Sequence, residues 1–124
     1  MFQQDHILRQ VQQLAEVLAR ALFHKQAEQP GQARDALSDG LASVLGLDLE
    51  ALCRLPQADV LALCAPGGVL SGDKAVAVAD VLGEAPSAAA AQRALWLYEV
   101  ALGTGEAVPF DVHERLRDLR ARLP

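Results

Sequence analysis

The chain has 124 residues, which fits one domain, and 52% of them are hydrophobic, which argues against disorder. A net charge of −5 offers no overall basic surface for phosphate contacts, so the composition speaks against a nucleic-acid binder. Much of the apolar share is Ala and Leu and aromatics are only 4%, a balance that favours helix over sheet.

In chain order, the first helix is predicted from about Gln4 to Lys25. Ile7, Val11, Leu14, Leu18 and Ala21 recur at helical spacing, and Leu8, Ala15 and Leu22 widen the stripe to nearly half the circumference. Arg9, Gln13, Glu16 and Arg20 gather opposite, with Asp5–Arg9 and Glu16–Arg20 as acid-before-base pairs at i, i+4. After the Pro30-Gly31 break, a second helix runs from about Gln32 to Leu45. Ala33, Leu37, Leu41 and Val44 face inward, and Gly46 suits a left-handed position past the end. Asp48 is placed to cap a short third helix through Leu52 and Cys53. Pro56 opens a fourth as a first-turn proline, with Val60, Leu61 and Cys64 apolar.

Pro66-Gly67-Gly68 is the strongest break in the chain. A fifth helix is predicted from about Asp73 to Leu82, ended by Gly83. Ser87 caps a sixth that reaches Leu102 before Gly103-Thr104-Gly105. Pro109 precedes the last helix, where Asp111 and Glu114 have capping-box spacing and Val112, Leu116, Leu119 and Leu123 make a narrow stripe. The expectation is one all-α domain over residues 1–124, a compact array of about seven short helices.

The stretch Gln3-Gln4-Asp5-His6-Ile7-Leu8-Arg9, followed by Gln13-Leu14-Ala15, Leu18-Ala19-Arg20, Ala33 to Ala36 and Leu45-Gly46-Leu47-Asp48, resembles a family of short uncharacterised bacterial helical proteins with tetratricopeptide-like segments. Ala94, Tyr98 and Ala101 have the spacing of the second helix of a tetratricopeptide repeat. The resemblance implies helical hairpins and carries no catalytic residue. The sequence departs from the repeat before Ala89, where Asp80 to Ala89 is short, Ala-rich and interrupted by Pro86, and no second copy recurs.

The sequence offers little chemistry. His6, His24 and His113 are scattered, and only His24 has a ligand candidate one turn away, Glu28. Cys53 and Cys64 lack a CxxC or Cys/His setting and read as small buried hydrophobes. Ser38, Ser43, Ser71 and Ser87 read as turn, cap or solvent positions, and Gly67-Gly68 lacks the Lys-Ser/Thr of a phosphate loop. Asp48 and Glu50 suit a helix start. Arg115, Arg117, Arg120 and Arg122 are interleaved with Asp111, Glu114 and Asp118, as on a solvated face. The expectation is therefore no enzyme, no cofactor and no metal. The opening Met1-Phe2-Gln3-Gln4-Asp5 is unlike a signal peptide, and the run Ala75 to Leu82 is broken by Asp80, so a soluble cytoplasmic protein with reduced thiols and no membrane contact is expected. The first helix has few cations on its polar face for a membrane surface.

What remains is apolar surface. The sixth helix is apolar nearly all round, with Trp96 projecting near its polar side, roughly 160° from Tyr98. Such a helix is either central in the core or shared with a partner. The candidate interface is Trp96 or the outer edge of the first helix near Val17 and Ala21, either of which would meet its symmetry mate. The expected function is a self-associating, homodimeric protein-interaction domain. The alternatives are a monomeric tetratricopeptide-like adaptor capturing a peptide and a small-molecule binder in a helical cavity.

Overall fold

The structure, a computed structural model, describes residues 2–124; Met1 lies outside them. Proline and glycine divide the chain where its composition says they should. Helix α1 spans Phe2–Gln26, α2 Pro30–Leu45, α3 Leu49–Leu52 and α4 Gln57–Leu63; a 3-10 turn, Pro66–Gly68, precedes α5 (Gly72–Gly83), α6 (Ala88–Gly103) and α7 (Val112–Arg122). The protein is all-α, with seven α-helices among the described residues.

Side-chain caps start three of the helices, α3, α5 and α6. Asp48 accepts from the Ala51 N–H at 2.8 Å, Ser71 from the Lys74 N–H at 3.2 Å and Ser87 from the Ala90 N–H at 3.1 Å. Three boundaries differ from expectation. Helix α2 starts at Pro30 itself, because proline lacks only a donor that a first turn leaves unused. Pro56 stands before α4 as its cap, and its carbonyl accepts from the Asp59 and Val60 N–H groups. Asp111 does not cap α7 with its side chain; its carboxylate takes the Arg115 guanidinium at 2.6 Å instead, since a charge-assisted bond outweighs a neutral amide.

Helices α5 and α6 form the middle of the molecule. Ala75, Ala79, Ala90, Ala91, Ala94 and Ala101 are fully buried there, and small side chains let the helices come close. Helix α1 packs on α2 and on α5; α7 packs on α6, α3 on α2, and α4 on α6. At the α1–α2 contact, a Cβ added to Gly40 would lie 2.4 Å from the Val17 methyls, so this crossing requires glycine. Val17 (7% exposed) and Ala21 (0%) are thus interior residues. Their expected place on an outer edge is corrected: both face away from solvent, Val17 because α2 lies against it at Gly40.

Candidate functional site

Helix α1 is longer than its partners cover. Viewed along its axis, Leu14, Val17 and Ala21 are buried within the chain, while Leu8, Gln12, Ala15, Ala19, Leu22 and Gln26 stay exposed and Val11 and Leu18 are half-buried. At 100° per residue the exposed and half-buried residues of this set span an arc of roughly 120°, without a single charge among them. Leu8 is 49% exposed and Leu22 38%. The charged residues Asp5, Arg9, Glu16 and Arg20 begin only beyond that arc.

Beside the strip runs a groove. Its walls are α1 and α7 and its floor is α5, because α1 packs on α5 and α7 packs on α6. Two hollows of about 340 and 240 Å³ meet at Leu18 and Asp80. Val11, Leu14, Val76 and Pro109 line one, and Leu22, Leu119 and Tyr98 the other.

Asp80 is the polar centre of that floor. Its Oδ1 accepts from the Tyr98 hydroxyl and from Arg115, whose other arm holds Asp111. One carboxylate thereby ties α5, α6 and α7 together. Burial pushes the Asp80 carboxyl above its ordinary range, against the lowering effect of Tyr98 and Arg115. Burial likewise raises the Tyr98 hydroxyl, and its bond to Asp80 adds to the shift. Burial works against the Arg115 charge, but Asp80 and Tyr98 outweigh it and the guanidinium stays protonated. With Oδ1 already shared by two donors, the arrangement is a tie between helices, and structural networks of this kind perturb pKa values as active sites do.

Three cations grip the carbonyl ends of helices. Lys25 donates to the Glu84 carbonyl at 2.6 Å and its carboxylate at 2.9 Å; Arg122 donates to the Gly83 and Ala85 carbonyls at 2.8 Å each. Arg93 donates to the carbonyls of Leu52, the last residue of α3, and Leu55, beyond it, at 3.2 and 2.6 Å. Unpaired carbonyls and the dipole both favour a cation there. In a chain with 11 Lys and Arg, these are structural assignments and not a basic patch.

Trp96 is half-buried and lies beneath Arg93, whose guanidinium carbon stands 5.1 Å from the ring centroid. The structure therefore places Trp96 beside Arg93, which reaches the end of α3, and Val17 in the α1–α2 contact with Ala21 buried one turn on, at separate places. His24 Nδ1 lies 3.0 Å from Gln29 Oε1. Cys53 is half-buried, Cys64 is buried, and both are free thiols. Among the described residues no three His, Cys, Asp or Glu converge as metal ligands, and no helix is long and apolar enough to cross a membrane. The residues missed from sequence were Asp80, Tyr98 and Arg115 as a set. Asp80 interrupting the apolar run of α5 was their signal.

No protein family, no curated protein and no solved structure matches the chain.

Proposed function

We infer that this chain is a non-enzymatic helical interaction domain, and that it meets its partner along the charge-free strip of α1 and the adjoining groove over α5. The observation that carries this is the exposed, uncharged arc from Leu8 to Leu22, with the exposed Phe23 just beyond its edge. An apolar surface of that length left open to water marks an interaction site. A second helix laid along it would use the same side-chain spacing that α1 presents, in the manner of helix-in-groove recognition. Trp96 carries less of the argument than α1, because Arg93 already covers its ring.

The test is site-specific photo-crosslinking in the native cell. A benzophenone amino acid replaces Ala15 in the strip or Asp59, an exposed position on α4. A discrete protein adduct from position 15 and none from position 59 supports the reading. Equal, diffuse labelling from both positions, or none from either, defeats it.

A further inference from the structure

The order of residues along the α1 strip says what the partner is. Leu8 and Leu22 stand seven positions on either side of Ala15, and between them lie small or slender groups: Gln12 and Ala19 on one flank, Val11 and Leu18 on the other. Read from either end, the strip presents a leucine, a middle of alanine, and a leucine. Such a pattern is its own complement when two copies run in opposite directions. Ala15 then meets Ala15 of a second copy on the two-fold axis, and Leu8 of each copy meets Leu22 of the other. Small residues at the crossing let the helices approach, while the leucines close both ends about 21 Å apart.

Charge permits the same occupant. Two molecules each carrying −5 repel at long range, and a strip without charges adds no like charges at contact. The flank of the strip away from the groove is Gln12, Ala19 and Gln26, all uncharged and exposed. In an antiparallel pair this flank lies beside the same flank of the other copy, Gln12 near Ala19 and Ala19 near Gln12, so the pairing sets no charge against a charge there. An isologous contact needs such a self-complementary patch, and a twofold dimer is its commonest form.

We propose that the occupant of this face is α1 of a second copy, packed antiparallel about a twofold axis at Ala15. The proposal rests on the interaction reading above and names its partner.

The experiment is sedimentation equilibrium at low salt on the full chain, with circular dichroism to verify the fold of each variant. All three altered positions are exposed on α1. The wild type is expected to be a dimer in the micromolar range. Leu8→Lys combined with Leu22→Lys places lysine against lysine in both contacts and should weaken the dimer by about 100-fold or more. Leu8→Lys combined with Leu22→Glu places lysine against glutamate in both, and should return the affinity to within about tenfold of wild type. A parallel pair would instead set like charges together in both variants. At the axis, Ala15→Glu and Ala15→Lys should each be monomeric alone and associate when mixed. A monomeric wild type at about 100 μM, a dimer indifferent to the double lysine variant, or a Lys/Glu variant as weak as the double lysine one overturns the proposal. A monomeric wild type whose position 15 still crosslinks a different protein overturns the proposal and leaves the interaction reading standing.

Discussion

At the scale of single residues, Cys64 sets an alkaline limit on stability and Lys74 works against it. Lys74 is the one charged side chain among the described residues that is buried, 6% exposed, and burial lowers its pKa. Burial pushes the neighbouring Cys64 thiol up from 9.0 to about 12, with Lys74 partly opposing the rise. The folded thiol keeps its proton where the unfolded one loses it, so its contribution is full below pH 9.0 and is lost between 9.0 and about 12. Lys74 acts in the opposite sense, because its folded form sheds its proton first and stability rises with pH up to its ordinary value of 10.5. Urea titrations from pH 8 to 10 should show wild-type stability falling relative to Cys64→Ala by up to about 1.4 kcal/mol per pH unit above 9. Lys74→Met should make the fall steeper; equal slopes in all three proteins would refute this account. Backbone strain is legible at one more residue, Glu28, which closes α1 with φ at +58°. Glycine takes that conformation without a Cβ clash, and Glu28→Gly is expected to raise stability by about 0.5–1 kcal/mol in thermal melts.

At the scale of elements, the helices were legible because their ends are local chemistry. Ser71 and Ser87 cap within their own first turns, and Gly46 takes φ +80° as expected. What the sequence does not hold is which side of α1 meets a neighbour. Its apolar stripe fills close to half the circumference; periodicity puts Leu8 and Leu22 inside that stripe and leaves Val17 outside it, and the burial is the reverse. The deciding feature is Gly40 on another helix, whose missing side chain lets α2 sit on Val17 and leaves Leu8 and Leu22 outside. The polar tie was hidden for the same reason. Asp80, Tyr98 and Arg115 lie on three helices, and only packing brings them together. The Asp111–Glu114 spacing misled because Arg115 competes for the same carboxylate. Gly40→Ala tests the crossing: helix propensity gains up to about 1 kcal/mol, but the clash should prevail and cost a net 1–3 kcal/mol, roughly. A more stable variant in chemical denaturation would show that α2 can shift aside.

For the whole molecule, cohesion comes from a few long reaches laid over short-range helix pairs. Asp80 joins three helices, and Lys25 and Arg122 hold the end of α5 from α1 and α7. Tyr98→Phe removes one donor from a largely buried carboxylate and should cost about 1–3 kcal/mol while leaving helix content intact. Unchanged stability would mean that water replaces the hydroxyl. The Pro66–Gly68 turn has a different consequence. Gly67 and Gly68 are left-handed, Val69 is 75% exposed, and the chain before them packs α1 on α5 and α4 on α6 beyond them. The two parts on either side of the turn therefore hold each other by helix packing as well as by the backbone. Brief elastase treatment should therefore cut after Val69 and yield two fragments that elute together on gel filtration at the size of the intact protein, separating only in denaturant. Seen this way, the protein is two interlocking pieces that happen to share a backbone, and it could be expressed as a split pair that reassembles by complementation.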